Sequence, residues 1–199
     1  MSDMAVDYKH YPISVEMYQR MGDSGILAYD ARVELLDGEL IEMAPISSEH
    51  QDPIRKLNAI LVKRFDGRAI VDNSGPVIID PISAPQPDLM LLGLRDYLKR
   101  LPDQHDVLLV VEVSVSSLRY DRGRKLAAYA RTGVPEVWIV NMIDRQVERY
   151  ADLRNGTYAA VDQLRRGATI APRAFSEDAI AISDFLASSG DVEDGFNTW

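Results

Sequence analysis

Val107-Leu108-Leu109-Val110-Val111-Glu112-Val113-Ser114-Val115 is the strongest strand pattern in this chain. Its residues are almost all aliphatic or β-branched, as is typical of a strand that is buried on both faces. A carboxylate in the middle of such a strand is unfavourable unless a partner compensates its charge. Glu112 therefore indicates a buried polar site at the centre of the fold. Because side chains alternate between the two faces of a strand, Glu112 and Ser114 are predicted to point to the same side.

The residues after this strand predict a strand–helix–strand unit. A helix is expected from about Asp121 to Thr132, closed by Gly133, and Val137–Asn141 has the pattern of a second buried strand. A parallel crossover is the simplest way to connect the two strands. The fold class is therefore predicted to be α/β, with a central mixed β-sheet flanked by helices.

The rest of the chain predicts shorter elements around this core. An N-terminal β-hairpin is expected over Arg32–Met43, because Asp37-Gly38 is a favoured turn pair. Helices are expected over Ile13–Met21 and His50–Phe65. The remaining predicted elements are strands over 69–71, 76–79, 87–92, 146–150 and 157–161, a short helical stretch over 95–101, and a short apolar helix or strand over 175–186.

The composition favours a single globular domain. The chain has 199 residues, of which 46% are hydrophobic, and it has no cysteine. This excludes disulfides and cysteine-ligated zinc, and a reducing cytoplasm is the expected location, with no signal-peptide pattern and no membrane span. The net charge of -9 argues against capture of nucleic acid by overall positive charge, but it leaves room for a local basic groove.

Asp88, which follows Pro87 at the start of a predicted strand, is the candidate partner for Glu112. If the two strands are neighbours, both carboxylates converge on one cation. Oxygen ligands of this kind suit Mg²⁺, with waters and a substrate phosphate completing its coordination shell. Such an ion polarises a phosphoryl oxygen and lowers the pKa of an attacking water. Glu34, inside the hairpin, is either a third metal ligand or an exposed carboxylate.

The predicted helix over 121–132 adds further candidates. Asp121 and Lys125 are expected on one face of this helix, with Tyr129 one turn further along. A Lys125 ammonium near the attacking water would orient the water or stabilise the charged transition state. The alternative is an Asp121–Lys125 pair on the helix surface, which contributes only about 0.2–0.5 kcal/mol, with Tyr129 simply packing. In either case Lys125→Ala is expected to leave stability nearly unchanged.

Three more polar residues complete the predicted set. His50, at the start of its helix, is a candidate contact for a phosphate or for a water ligand of the metal, although a capping or surface position is the simpler role. Arg122 is a candidate phosphate contact, although a solvated arginine is the simpler interpretation. Ser114 would contribute a secondary hydrogen bond to the site.

Several motifs follow one another along residues 11–186 in an order that resembles a known family. They are Val33–Leu40, Met43-Ala44-Pro45 with Ser47 and His50, Pro87-Asp88-Leu89, Val111–Ser114 with Ser116, Tyr120–Tyr129, and Gly133–Val140. In this order they resemble the Uma-type putative restriction endonuclease family, within the PD-(D/E)XK nuclease superfamily.

The resemblance implies a restriction-endonuclease-like core and Mg²⁺-dependent hydrolysis of phosphodiester bonds, with Mn²⁺ as a substitute ion. It implies that Asp88 and Glu112 are the two acidic residues of the nuclease motif. The superfamily lysine usually lies two residues after the second acid, where this chain has Ser114. The family places it on the next helix, which makes Lys125 the candidate.

The predicted domain covers residues 11–186, with flexible termini over 1–10 and 187–199. The predicted partner is nucleic acid, with DNA favoured over RNA, and a homodimer is left open. The alternative function is a catalytically silent member of the fold that binds nucleic acid or protein. The acidic composition favours this alternative, whereas retention of all three motif residues favours the nuclease.

Overall fold

The computed structural model describes residues 10–73 and 75–187, so the predicted flexible termini fall almost entirely outside the described residues. The helices are α1 (Val15–Asp23), α2 (Ser48–Phe65), α3 (Leu118–Tyr120) and α4 (Leu126–Thr132), with 3-10 turns at Arg173–Phe175 and Ile182–Asp184. The strands are β1 (Val33–Leu36), β2 (Glu39–Glu42), β3 (Ile70–Asp72), β4 (Leu89–Leu92), β5 (Val107–Ser114), β6 (Val137–Asn141), β7 (Gln146–Arg154), β8 (Thr157–Arg165), β9 (Thr169–Ile170) and β10 (Ile180–Ala181). Among the described residues, no helix has the length and apolarity needed to cross a membrane.

A mixed six-stranded sheet forms the centre of the molecule, in the order β3-β4-β5-β6-β7-β8. β5 and β6 run parallel, with Glu112 opposite Ile139, whereas the other neighbouring pairs are antiparallel. The parallel pair confirms the predicted crossover. The N-terminal hairpin β1-β2 and the C-terminal pair β9-β10 form two small separate sheets. The central mixed sheet, with helices packed on it, confirms the predicted α/β architecture.

The two faces of the central sheet pack against different helices. On one face, Val111 of β5 belongs to a core that includes Leu57 of α2. On the other face, Val110 belongs to a core that includes Tyr129 of α4. Because successive side chains of a strand alternate between faces, Glu112 points to the same side as Val110 and therefore towards α4.

The helical segment that follows β5 contains a π-helical turn. α3, the turn Asp121–Lys125 and α4 follow one another without a break. The N–H of Leu126 donates to the carbonyl of Asp121, which is the spacing of a π-helix. Such turns are frequent at functional sites, and this turn buries both Asp121 and Lys125.

The β1-β2 hairpin is anchored to the loop that precedes β4. Asp37 and Gly38 form the predicted turn, and their φ values of 51° and 76° are those that a type I′ turn requires. The N–H of Gly38 donates to Ile82 O, and the N–H of Ala84 donates to Leu35 O, both at 2.8 Å. These bonds fix β1, and with it Glu34, against the loop.

Two predicted elements are wrong. Residues 76–79 do not form a strand of the sheet, because the N–H of Val77 donates instead to Pro85 O in a loop. Val77 and Ile79 are still buried, in alternation with the partly buried Ile78, which explains the strand-like pattern. Residues 95–101 form turns rather than a helix, because the Asp96 side chain accepts a local backbone hydrogen bond that competes with helix formation.

We expect Gly38→Ala to destabilise the protein more than Gly67→Ala. Both glycines have positive φ, so each substitution carries a conformational penalty of about 1–2 kcal/mol. A Cβ at Gly38 would also lie 2.5 Å from Pro12 Cβ, whereas a Cβ at Gly67 has no atom within 4 Å. Urea unfolding of the two variants measures the difference, and equal losses would show that the hairpin is not held against Pro12.

Candidate active site

A cavity of about 410 Å³ lies where the hairpin, the start of α2 and the end of β5 meet. Most of the predicted site residues line it, namely Glu34, His50, Asp88, Glu112, Asp121 and Lys125. Asp88 directly precedes β4, and Leu89 of β4 pairs with Val111, the neighbour of Glu112. The strand register therefore brings Asp88 and Glu112 to the same cavity.

Lys125 lies at the centre of the site, between two carboxylates. Its Nζ is 3.0 Å and 3.1 Å from the two carboxylate oxygens of Glu112, and 3.2 Å from Glu34 Oε2. It also donates to Gln86 O at 3.3 Å. The Lys125 side chain is only 4% exposed. The expectation that Lys125→Ala leaves stability unchanged is therefore wrong, because the ammonium is buried and paired.

The pKa values of Glu112 and Lys125 are both raised above their usual ranges. Burial raises the pKa of the Glu112 carboxyl well above its usual range, although the charge of Lys125 opposes the shift. Burial would lower the pKa of Lys125, but the charges of Glu112 and Glu34 outweigh burial and raise this pKa. The two pKa values are therefore raised for different reasons, Glu112 mainly by burial and Lys125 by the neighbouring carboxylates, which outnumber this buried cation. The site therefore has an electrostatic preference for further positive charge.

Glu34 is held by donors from three directions. Its Oε2 accepts the N–H of Gln86 at 2.9 Å as well as the Lys125 ammonium, and its Oε1 accepts the hydroxyl of Tyr120 at 2.9 Å. Sequence reasoning missed both Gln86 and Tyr120. Gln86 acts here through its main chain, which leaves no side-chain signal. The π turn places Tyr120 and Lys125 on the same side of the helical segment, where both contact Glu34. In a regular α-helix, two residues with this spacing would point to different sides.

Tyr129 and Asp121 lie on the same helical segment and contact the end of β5. The hydroxyl of Tyr129 donates to Glu112 Oε1 at 2.7 Å. Asp121 Oδ2 accepts hydrogen bonds from Ser114 Oγ at 2.7 Å and from Ser117 Oγ at 2.6 Å. Burial raises the pKa of Asp121 despite these donors. Ser114 therefore orients Asp121, a contact that the sequence did not specify.

Asp88 is fixed by one backbone donor and by His50. The N–H of Val113 donates to Asp88 Oδ2 at 2.7 Å, and His50 Nε2 lies 3.3 Å from the same oxygen. This hydrogen bond to Asp88 raises the pKa of His50, against the opposing effects of burial and of the nearby Arg32 charge. Among the described residues, no donor contacts Asp88 Oδ1, so this oxygen stays available to a ligand.

The structure does not bring Arg122 to the cavity. Its guanidinium forms a two-point ion pair with Glu148, whose carboxylate also accepts hydrogen bonds from Asn141, Gln146 and Tyr150. Burial would raise the pKa of Glu148, but these donors lower it to about 2. Arg122 is therefore engaged within the fold, where the sequence offered it as a phosphate contact.

The donor chemistry of the cavity fits a weakly held Mg²⁺ ion. Within the described part of the chain, no group of three or more His, Asp or Glu side chains is arranged to hold a metal. Proteins commonly bind Mg²⁺ through only one or two carboxylates, together with waters and substrate phosphates. Asp88 Oδ1 accepts no hydrogen bond from the described residues, and Glu112 Oε2 contacts only Lys125, so each oxygen retains a lone pair.

The model of the Uma2 family, described as "Putative restriction endonuclease", matches residues 15–183. This chain belongs to the Uma2 family. The match confirms the resemblance drawn from the sequence motifs, and it covers the hairpin, the central sheet and the cavity.

A solved structure shares the fold of this Uma2 chain. It is a crystal structure described as a putative nuclease belonging to DUF820, from Anabaena variabilis, with a TM-score of 0.68. The two sequences are 11% identical over 87% of this chain and 97% of the other. At this identity the likeness concerns the fold alone. No curated protein matches the sequence.

We expect Glu148→Gln to lower stability at pH 7 by about 2–3 kcal/mol, because it breaks a buried ion pair. The pKa of Glu148 is lowered from 4.5 to about 2, so the ion pair stabilises the fold above pH 4.5. This contribution is lost as the pH falls from 4.5 towards 2. Urea unfolding measures the free energy of unfolding of wild type and variant at pH 7 and pH 3. The difference between the two proteins should be smaller at pH 3 than at pH 7.

Asp152→Asn is the control for this experiment, because Asp152 forms an ion pair with Arg154 and both side chains are exposed. It should change stability by less than about 1 kcal/mol at either pH. A Glu148→Gln difference that stays constant between pH 7 and pH 3 would contradict the assignment of the ion pair.

Proposed function

We propose that this Uma2 protein is a metal-dependent endonuclease that hydrolyses phosphodiester bonds of nucleic acid, with DNA as the favoured substrate. The observation that carries the proposal is the convergence of Asp88, Glu112 and Lys125 on one cavity. Membership of a family of putative restriction endonucleases supports the same reaction. The boundaries of a single domain over residues 11–186, a cytoplasmic location and a homodimer stay predictions.

Asp88 and Glu112 are the residues that we assign to Mg²⁺ or Mn²⁺. When bound, the ion would polarise a phosphoryl oxygen and lower the pKa of the attacking water. The chain itself supports this role by holding both carboxylates rigidly. The N–H of Val113 orients Asp88, and the hydroxyl of Tyr129 orients Glu112.

Lys125 is assigned to the phosphoryl-transfer transition state. The surrounding carboxylates keep its ammonium protonated, so it does not serve as a base at neutral pH. A fixed positive charge beside the reacting phosphate stabilises the negative charge that develops there. The ammonium does not have to move at the moment of reaction, because its contacts already hold it in place.

Glu34 is assigned to positioning Lys125 rather than to the metal. Its carboxylate already accepts from Gln86, Tyr120 and Lys125, and it is 2% exposed. With Glu34 on one side and Glu112 on the other, the ammonium has little freedom to move. Loss of Glu34 should therefore impair turnover by misplacing Lys125.

Cleavage assays test the proposed reaction. Wild-type protein is incubated with supercoiled plasmid, linear DNA, single-stranded DNA and RNA in Mg²⁺, Mn²⁺ or EDTA. We expect metal-dependent cleavage of DNA that EDTA abolishes. Asp88→Asn should abolish cleavage under every metal condition, which also excludes a contaminating nuclease. Wild-type protein that cleaves no substrate in either metal would instead favour a catalytically silent nucleic-acid- or protein-binding domain.

We expect Lys125→Met to reduce turnover by at least about 100-fold, because it removes the charge that stabilises the transition state. Met keeps the length of the buried side chain, and circular dichroism at the assay temperature identifies the folded fraction. Ser114→Ala is the matched control, since Ser114 reaches the site only through Asp121. It should lower turnover by less than about tenfold. Near-normal turnover in folded Lys125→Met would remove Lys125 from the reaction.

Metal binding should raise the melting temperature of the wild type, because the ion relieves repulsion between the clustered carboxylates. At ten times the Kd, the stabilisation would be about 1.4 kcal/mol. An Asp88→Asn/Glu112→Gln double variant should lose this Mg²⁺-induced shift. Glu42→Gln should keep it, although Glu42 also lines the cavity. A full shift in the double variant would place the metal elsewhere.

A further inference from the structure

Arg32 lies in the cavity wall, and its charge has no partner among the described residues. It directly precedes β1, and its carbonyl accepts the N–H of Met43 at 2.8 Å, which fixes its backbone at the base of the hairpin. The residue is half-buried and lines the cavity. Within residues 10–73 and 75–187, its guanidinium makes no hydrogen bond or ion pair.

Lys125, which also lines the cavity, and three nearby arginines are engaged in contacts inside the fold. Lys125 is buried between Glu112 and Glu34. The nearby arginines are paired as follows: Arg122 with Glu148, Arg124 with Glu39, and Arg145 with Glu49. An incoming phosphate could bind these three arginines only by breaking an existing ion pair, whereas Arg32 would lose no partner among the described residues.

The position of Arg32 suits an anion at the cavity. Arg32 and Glu34 are two residues apart, so they project to the same side of the β1 segment. Arg32 lies close enough to His50 for its positive charge to oppose the rise in the pKa of this histidine, which contacts Asp88. A planar guanidinium offers two parallel N–H groups to the oxygens of a phosphate and keeps its charge at any working pH.

We propose that Arg32 binds a backbone phosphate of the nucleic acid substrate, next to the phosphate that is hydrolysed. This inference rests on the proposed endonuclease function and names a contact by which that site holds its substrate. Arg32 is thus a substrate-binding residue, separate from the groups that act on the reacting phosphate. Because phosphates are common to all sequences, the contact adds affinity without sequence preference.

The salt dependence of cleavage tests the contact. The ratio kcat/KM is measured for a labelled oligonucleotide duplex in Mg²⁺ over a range of salt concentrations, with wild type, Arg32→Gln, Arg32→Lys and Arg154→Gln. Arg154 is the control, because it lies at the far end of β7 from the cavity. The near end of β7 begins at Gln146, which pairs with Asn141, and Asn141 pairs with Ser114 at the end of β5.

Arg32→Gln should lower kcat/KM by about 10- to 100-fold at low salt, the effect of losing one charge-assisted hydrogen-bond contact. The slope of log kcat/KM against log salt, which is negative, should also become less steep by about 0.9, which is the effect of losing one phosphate contact on a duplex. Arg32→Lys should keep the slope but lose part of the affinity, because lysine keeps the charge without the two-point geometry. Arg154→Gln should match the wild type in both quantities.

An Arg32→Gln variant with wild-type kcat/KM and salt slope would overturn the inference and leave the endonuclease proposal intact. Wild-type protein that does not cleave removes the endonuclease proposal, and fluorescence anisotropy of the same oligonucleotide then tests Arg32 alone. In that case Arg32 remains a phosphate contact only if Arg32→Gln weakens binding and reduces its salt slope. Absent binding, or binding unchanged by the substitution, overturns it. Equal melting temperatures of wild type and Arg32→Gln establish that the comparison concerns folded protein.

Discussion

Lys125 forms a buried ion pair with Glu112 on one side and with Glu34 on the other, and the surrounding structure is arranged around this ammonium. Either carboxylate left alone in the core would be strongly destabilising, and so would the lysine. The three groups are acceptable together because each charge faces an opposite charge and the remaining oxygens accept hydrogen bonds from Tyr120, Tyr129 and the Gln86 N–H. The same excess of carboxylates that holds Lys125 protonated also favours a metal ion.

Three separate parts of the chain must meet to build this arrangement. The parallel β5-β6 pair buries Glu112 towards α4, the hairpin carries Glu34 to the same point, and the π turn directs Lys125 inward. Buried ion pairs of this kind contribute less to stability than their Coulomb attraction suggests, because both charges lose their hydration. The proposed function accounts for this buried arrangement, because it assigns Lys125 to the reacting phosphate and uses the Asp88 oxygen that accepts no hydrogen bond from the described residues.

The sequence predicted the sheet centre because aliphatic alternation and turn residues act locally, as in the strand around Glu112 and the Asp37-Gly38 turn. It also predicted that Asp88 and Glu112 belong to one site, and both residues line the same cavity. It did not predict that Lys125 is buried, because the π turn changes the helical spacing and no simple pattern marks it. The contacts of Gln86 through its main chain and of Arg122 with Glu148 depend on tertiary packing. Residues 76–79 resembled a strand because Val77 and Ile79 are buried in alternation, although the segment lies in a loop.

The coupling between Lys125 and Glu112 is the most direct test of this account. The free energy of unfolding is measured at pH 7 for the wild type, Lys125→Met, Glu112→Gln and the double variant. We expect Lys125→Met to cost about 3–5 kcal/mol, because it leaves two buried carboxylates without a cation. The double variant should lose at least about 1 kcal/mol less than the sum of the two single losses. Losses that add to within about 0.5 kcal/mol would show that the two charges do not depend on each other.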